Sequence, residues 1–231
     1  MPRQGLLFVV SAPSGAGKTT LCKEVLARVP GLRPSISYTT RKPRPGEVHG
    51  REYFFVDESV FQEMIQRNEF AEWARVYGQL YGTPRPAVAT MMDQGLDVLL
   101  EIDTQGAMQI KKKFTEGVFI YILPPSVDVL RKRLQARGSD SPEEIQRRLM
   151  KAREEVWSYR EYDFLVCNDD MKQALRELEG IILSERVRTK RVDIAWLESN
   201  FIRGFEDKAG DRRAADPNQP QGREKGAEVH D

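Results

Sequence analysis

The chain has 231 residues, of which 40% are hydrophobic and 31% are charged, with a formal net charge of +1. Length and composition predict one compact domain or a core with insertions, and the near-neutral charge argues against a general binder of nucleic acid. There is no apolar stretch of about 18 residues and no signal-peptide pattern, so we expect no membrane partner and a cytoplasmic location. We expect Cys22 and Cys167 to be buried in a reducing compartment, since neither has a metal-ligand spacing.

A glycine-rich loop follows an apolar, β-rich run at residues 6–10 and precedes a segment with helical spacing of apolar residues. Strand, glycine-rich loop and helix are the context of a phosphate-binding loop, in which backbone N–H groups and the helix dipole face an anion. Lys18 is expected to reach the β- and γ-phosphates of a nucleoside triphosphate, and Thr19 to bind Mg²⁺. The general pattern opens with Gly, and here that position is Ala12. The loop residues expected at the nucleotide are Ala12, Pro13, Ser14, Gly15, Ala16, Gly17, Lys18, Thr19 and Thr20.

Residues 37–83 are predicted to form a small, strand-rich insertion in an α/β core. Its first part is crowded with hydroxyls and cations, among them Ser37, Arg41 and Arg44. Such side chains hold a second phosphate group, although a solvated basic turn explains the same residues. Residues 78–82 are typical of a turn-rich link, and Thr83 before a proline predicts a helix N-cap.

Three further apolar runs, at residues 96–103, 117–123 and 162–168, predict core strands that alternate with helices. With the first strand they indicate a parallel sheet in a three-layer αβα core. Asp103 follows one strand at the edge where such sheets bind ligands, and an acid there can hold Mg²⁺ through water. Two helices, at about 170–184 and 188–202, are predicted to close the fold.

An arginine-rich helical pair is predicted between the last two of these strands. Ser126 caps the first helix, which ends near Arg137, and Ser141 opens the second with a capping-box pattern. Arginines on a hinged helical pair suit a lid over transferring phosphates, whereas a solvated, salt-bridged face explains them equally well.

These strings together resemble the guanylate kinase family over about residues 5–186. The resemblance rests on the phosphate-binding loop, Ser37 to Glu47, Glu72-Trp73, Tyr81-Gly82-Thr83, Glu101 to Gly106 and Asn168-Asp169-Asp170. It implies a P-loop core at 1–36, 84–125 and 160–203, a mixed α+β GMP-binding subdomain at 37–83, and a helical lid at 126–159. The tail at 204–231 lies outside the resemblance, and its composition predicts disorder.

The resemblance also implies site residues. Arg137 and Arg148 would act with Lys18 and Arg41 on the transferring phosphoryl group, and Asn168 would lie near the adenine of ATP. The residues implied at GMP are Ser37, Arg41, Arg44, Glu47, Tyr53, Glu72, Tyr81, Thr83, Glu101 and Asp103. Mg²⁺, held by Thr19 and through water by Asp103, is the implied cofactor. The chemistry of guanine agrees, because a carboxylate such as Glu72 accepts hydrogen bonds from both N1–H and the 2-amino group, and adenine offers neither.

The predicted reaction is the transfer of the ATP γ-phosphoryl group to GMP, with dGMP as a further candidate acceptor. One alternative is a related P-loop kinase with another phosphorylated acceptor. A second is a non-catalytic interaction module of the same fold, as in membrane-associated scaffolds, which typically lacks the P-loop lysine that Lys18 supplies here. The oligomeric state is left open between a monomer and a homo-oligomer.

Overall fold

The computed structural model describes residues 3–136 and 141–203. Residues from Arg3 to Arg191 form one compact unit, and the described residues from Val192 to Arg203 belong to a second. Within the described residues the strands are β1 (Leu7–Ser11), β2 (Leu32–Pro34), β3 (Tyr38–Thr39), β4 (Phe54–Phe55), β5 (Phe70–Val76), β6 (Gln79–Pro84), β7 (Asp97–Glu101), β8 (Val118–Leu123) and β9 (Phe164–Cys167). The α-helices are α1 (Lys18–Arg28), α2 (Glu58–Gln66), α3 (Arg85–Asp93), α4 (Thr104–Lys113), α5 (Val127–Ala136), α6 (Pro142–Glu155), α7 (Met171–Arg186) and α8 (Ile194–Leu197).

The core of the larger unit is a five-stranded parallel sheet in the order β2-β7-β1-β8-β9. Alternate residues of β1 face opposite sides, so that Phe8 and Val10 pack with α1 and α7 while Leu7 and Val9 pack with α3 and α4. The predicted three-layer αβα core is therefore confirmed. The edge strand β2 was not predicted, because its three residues lie in a Pro- and Gly-rich segment that reads as a break.

A second, mixed sheet of four strands, in the order β4-β3-β6-β5, is built from the insertion. Helix α2 covers it, and Phe61 stacks on Phe70 with ring centroids 4.5 Å apart. The prediction of a turn-rich link at 78–82 holds for Gly78, which lies in the turn after β5, and is wrong for 79–82, since β6 runs through them and pairs along β5. Thr83 was predicted to cap a helix, but it lies in β6, and Pro84 is the residue that precedes α3.

The helices α5 and α6 pack on each other through Leu130, Leu134 and Ala152. The capping prediction for α6 is confirmed, because the Ser141 hydroxyl accepts a hydrogen bond from the Glu144 N–H at 3.2 Å. Arg137, predicted at the end of α5, lies outside the described residues.

Asp97, at the first position of β7, is fully buried and joins three distant segments. Its carboxylate accepts hydrogen bonds from Arg3 at 2.5 and 2.8 Å, from the Leu6 N–H at 2.8 Å and from Arg186 at 2.7 Å. These contacts connect the start of the described chain and the end of α7 to the central sheet.

The two cysteines differ in exposure. Cys22 is buried under the sheet as predicted, and burial raises the pKa of its thiol well above the usual value. Cys167 was also predicted to be buried, but it is exposed at the end of β9, because β9 is an edge strand with a partner on one side only.

The second unit, as far as the structure describes it, contains α8 followed by one π-helical turn at Glu198–Ile202. The predicted continuous helix over 188–202 is therefore wrong, since a short 3₁₀-helix at Thr189–Arg191 precedes α8 as a separate element. The prediction of a disordered tail at 204–231 lies outside the described residues. Among the helices within the described ranges, none combines the length and the apolar character that crossing a membrane requires.

Candidate nucleotide-binding site

A cleft of about 280 Å³ lies at the carboxyl ends of β1 and β7. The glycine-rich loop forms one wall, and residues of the second sheet and of α6 form the others. Ligands of parallel α/β sheets bind at this edge, because the strand ends and helix N-termini converge there.

The glycine-rich loop is shaped to surround an anion. Gly17 has a φ of +94° and precedes α1, whose N-terminus has no side-chain cap, so its first N–H groups are available to a ligand. The loop is held from behind through the carbonyl oxygen of Ala16, which accepts hydrogen bonds from Asn168 at 2.7 Å and from Arg133 at 3.4 Å. A Cβ on Gly17 would lie 2.3 Å from the Asn168 amide nitrogen, so glycine is required there both for its φ and for space.

Lys18 and Thr19 extend from the loop toward the ends of β7. The Lys18 ammonium donates to the carbonyl of Ile102 at 2.7 Å, and the Thr19 hydroxyl donates to the carboxylate of Glu101. Glu101, and not Asp103, is therefore the acid in contact with Thr19.

The Glu72 carboxyl lies on β5 and is buried, with 3% of the residue exposed. The Thr83 hydroxyl donates to its Oε1 at 2.5 Å and lies 3.4 Å from the Ser37 hydroxyl. Burial is the main cause that raises the pKa of Glu72 to about 7, and the Thr83 hydrogen bond opposes that rise.

Asp103 lies on the same side of the cleft as Glu72. Its Oδ1 caps α4 by accepting from the Gly106 N–H at 2.9 Å, while its Oδ2 is buried with no hydrogen-bond partner among the described residues. A buried, unpaired carboxylate oxygen that lines a cleft is a group that a ligand would satisfy.

Basic residues of the insertion cluster near the cleft. Glu47 organises this cluster, since its carboxylate accepts from the Arg41 guanidinium at 2.9 Å and from the Arg44 N–H at 2.7 Å. Arg41 lies 5.5 Å from the centre of the Tyr53 ring, which meets the Tyr81 ring edge to face. Burial raises the pKa of Tyr53, so its hydroxyl stays protonated and able to donate.

Helix α6 brings cations to the opposite wall. Arg148 donates to the Ser14 hydroxyl of the loop at 3.0 Å, and the Lys151 ammonium lies 3.3 Å from Glu155. Arg148 and Lys151 also lie 5.3 and 4.6 Å from the centre of the Tyr77 ring, at the tip of the β5–β6 hairpin. The glycine-rich loop, the insertion and helix α6 therefore meet at this cleft.

Most of the residues singled out in the sequence come together in this cleft. Three of them do not line the cleft themselves but contact a residue that does. These contacts are Arg41 with Tyr53, Glu47 with Arg44, and Thr83 with Glu72. Asn168 and Gly17 border an adjoining pocket with Arg133.

Sequence reasoning missed Tyr77, Lys151 and Glu155. The spacing of Arg148, Lys151 and Glu155 along α6 was a usable signal, since positions three and four apart share a helix face. The position of Tyr77 depends on β6, which was not predicted.

A glycine-rich loop that joins strand β1 to helix α1 and faces cations of α6 defines the class of P-loop phosphotransferases. Comparison with known proteins identifies the family. The model of the guanylate kinase family matches residues 4–185.

Proteins that are similar to this chain in sequence and in structure are also guanylate kinases. The guanylate kinase of Geobacter sulfurreducens is 50% identical over 192 residues, which are 83% of this chain and 95% of that protein. The guanylate kinase of Syntrophomonas wolfei is 50% identical over 194 residues and is covered in full. The crystal structure of guanylate kinase from Anaplasma phagocytophilum superposes with a TM-score of 0.73 at 31% identity, covering 87% of this chain and 97% of that one. The chain belongs to the guanylate kinase family.

Proposed function

We propose that this chain transfers the γ-phosphoryl group of ATP to GMP, giving ADP and GDP, in purine nucleotide metabolism. The observation that carries the proposal is the buried Glu72 carboxyl, which faces the same cleft as the glycine-rich loop. The free thiols of Cys22 and Cys167 suit the reducing conditions of the cytoplasm.

ATP is assigned to the loop side of the cleft. The uncapped N-terminus of α1 and the Lys18 ammonium supply the positive field for the β- and γ-phosphates. In this role Lys18 exchanges its hydrogen bond to the Ile102 carbonyl for a phosphate oxygen. Asn168 supports the loop through Ala16 and borders the pocket assigned to adenine.

Guanine is assigned to Glu72, Thr83 and Asp103. Thr83 donates to Oε1 of Glu72, which fixes the carboxylate, and both carboxylate oxygens keep lone pairs that can accept from guanine. An ionised Glu72 would accept from guanine N1–H and the 2-amino group, and the unpaired Oδ2 of Asp103 lies beside it as a further acceptor. Adenine would leave these buried carboxylates unpaired, which is the kind of mismatch that discriminates by about 10⁴-fold.

The GMP phosphate is assigned to Ser37, Arg41, Arg44, Tyr53 and Tyr81. Glu47 accepts from the Arg41 guanidinium and from the Arg44 backbone N–H, so the Arg41 guanidinium is held in place before the phosphate arrives. The protonated Tyr53 hydroxyl adds a neutral donor.

Mg²⁺ fits at Thr19 and Glu101, because a hydroxyl and a carboxylate already in contact are oxygen donors of the type that Mg²⁺ prefers. Held by Thr19 and Glu101, Mg²⁺ would supply neutralising charge for the phosphate oxygens of ATP. Asp103, the expected ligand through water, is now assigned to guanine, and the Mg²⁺ role moves to Glu101.

Catalysis then consists of positioning and charge neutralisation. Lys18 and Arg148 approach the transferring group from the loop and the lid, Arg41 holds the acceptor phosphate, and Arg137 is proposed to join them from the lid. No general base is required, because a phosphate oxygen of GMP is already ionised at neutral pH and attacks in line.

The test is a coupled assay of ADP release with GMP, AMP, UMP and dTMP as acceptors. We expect turnover with GMP and little with the other three. Lys18→Ala should lower kcat by about 10² or more through loss of transition-state charge stabilisation, while GMP affinity changes little. A preference for another acceptor would indicate a different P-loop kinase, and no ADP release with any acceptor would indicate a non-catalytic module.

A further inference from the structure

Strand β5, which carries Glu72, is the edge strand of the second sheet. One side of β5 pairs with β6, and its other side offers backbone N–H and C=O groups that need partners. Helix α4 of the core lies against this open side, and three of its residues contact the segment Ala71–Trp73, which is centred on Glu72.

Gln109 satisfies both backbone groups of Trp73. Its side-chain carbonyl accepts from the Trp73 N–H at 3.3 Å, and its amide donates to the Trp73 carbonyl at 2.7 Å. This pair of bonds is what a neighbouring strand would supply, so the amide fixes the position of β5 immediately after Glu72.

Lys113 makes the corresponding contact before Glu72. Its ammonium donates to the carbonyl of Ala71 at 2.6 Å. The carboxylate-bearing residue is thus held on both sides by side chains of the same helix.

Gly106 is the third residue of α4 that acts on this segment, because its lack of a side chain leaves room for the Glu72 carboxyl group. A Cβ at this position would lie 2.4 Å from Oε2 and 3.0 Å from Cδ of Glu72. Helix residues 106, 109 and 113 are spaced by three and four positions, so they share the face that meets β5.

We propose that Gly106, Gln109 and Lys113 are positioning residues that set guanine selectivity by holding the Glu72 carboxylate in place. The inference rests on the proposed function, in which Glu72 binds guanine. Helix α4 belongs to the core that carries the ATP loop, whereas Glu72 belongs to the insertion. The three residues therefore control where the base lies relative to the phosphate donor.

The readout is the ratio of kcat/KM for GMP to that for IMP, whose base keeps N1–H but lacks the 2-amino group. A correctly placed carboxylate makes one more charge-assisted hydrogen bond with GMP than with IMP. This bond should make kcat/KM for GMP roughly 10- to 100-fold higher than that for IMP. If the carboxylate is displaced, the ratio of kcat/KM for GMP to that for IMP should fall. Destabilisation alone lowers activity with both acceptors and leaves the ratio unchanged.

The central variant is Gly106→Ala, with Gly180→Ala in α7 as its matched control. A Cβ on Gly180 would meet nothing within 4 Å, so the control should raise Tm and leave the ratio unchanged. We expect Gly106→Ala to lower the ratio by about tenfold with an unchanged KM for ATP.

Two further variants test the hydrogen bonds separately. Gln109→Leu should lower the ratio by about tenfold, and Lys113→Met by about threefold. Lys113→Arg keeps a donor and should restore the ratio, while Lys112→Met, at the exposed neighbouring lysine, should not change it. These variants keep the test open if Gly106→Ala does not fold.

The outcome separates the two proposals. Wild-type ratios in Gly106→Ala and Gln109→Leu, together with a lost ratio in Glu72→Gln, would overturn the positioning role and leave the function standing. A wild-type protein that does not phosphorylate GMP, or a Glu72→Gln variant with an unchanged ratio, would instead overturn the assignment of Glu72.

Discussion

The carboxyl group of Glu72 has its pKa raised from 4.5 to about 7, mainly by burial. Between these values the folded protein retains a proton that the unfolded chain has released. The stability contributed by the protonated group is therefore complete at low pH and is lost as the pH rises toward 7. Above pH 7 the buried charge costs up to about 3 kcal/mol.

Glu72→Gln should therefore raise Tm more at pH 8 than at pH 5. The neutral amide has the size of the carboxyl but carries no charge to bury. Thermal unfolding of both proteins at the two pH values measures the difference. An equal gain at both pH values would contradict the raised pKa.

GMP binding should strengthen by about tenfold between pH 6 and pH 8, because the ionised fraction of a group with a pKa near 7 rises by that factor. Calorimetric titration of GMP at several pH values measures it. Glu72→Gln is the control, since it keeps the titration of the GMP phosphate and removes that of the carboxyl. The same pH dependence in both proteins would contradict the role of Glu72.

Individual site residues could be predicted where a local sequence pattern, or the hydrogen-bond donors of guanine, point to a particular side chain. Lys18 and Thr19 follow from the glycine-rich loop, and Glu72 follows from the resemblance together with the donors of guanine. Gln109 and Lys113 could not be predicted, because their contacts cross from α4 to β5, 36 and 42 positions away.

At the scale of elements, the β5–β6 hairpin and α6 make a defined contact. Tyr77 at the hairpin tip has a φ of +49°, and its ring lies within 5.5 Å of the cationic groups of Arg147, Arg148 and Lys151. An aromatic ring that faces several cations stabilises them by about 0.5–1 kcal/mol each at exposed sites. The contact holds Arg148 between the ring and the glycine-rich loop.

Tyr77→Ala should lower kcat by about tenfold with a smaller change in the KM for GMP, because it releases Arg148 from the position assigned to the transferring group. Tyr77→Phe keeps the ring and should behave like the wild type. Steady-state kinetics of both variants provide the measurement. A Phe variant as impaired as the Ala variant would show that the ring face is not what matters.

Helices and strands could be predicted from the sequence only where a local sequence pattern specifies them. Strands β1, β7 and β8 are continuous apolar runs, and α6 opens with a capping pattern, so all were predictable. Strand β6 was not, because only Leu80 and Tyr81 of its six residues are large hydrophobic ones, and the segment becomes a strand by pairing with β5. Pairing across the sheet outweighs the turn propensity of Gly82, whereas Gly78 lies in the turn between β5 and β6.

At the scale of the whole molecule, Asp97 connects segments that are far apart in the chain. Its carboxylate is fully buried between Arg3 and Arg186, with the Leu6 N–H as a further donor. Removing one partner of a buried pair leaves the other charges without compensation.

Asp97→Ala should lower the free energy of unfolding by about 3 kcal/mol, because two guanidinium groups and one buried N–H lose their acceptor. Urea denaturation measures the loss. The matched control is Glu58→Ala, which removes an exposed carboxylate paired with Arg75 and should cost less than about 1 kcal/mol. Similar costs for both variants would show that burial of the Asp97 network adds little.

Because Cys167 is exposed and Cys22 is buried, the rate at which a thiol reagent modifies Cys22 reports on local opening of the fold around α1. A thiol reagent should modify Cys167 at once and Cys22 only when α1 separates from the sheet. Since α1 begins in the loop assigned to ATP, nucleotide at 100 times its Kd should slow the second reaction by about 100-fold, the equivalent of about 2.7 kcal/mol. Equal rates for Cys22 with and without ATP would mean that α1 opens without disturbing the loop.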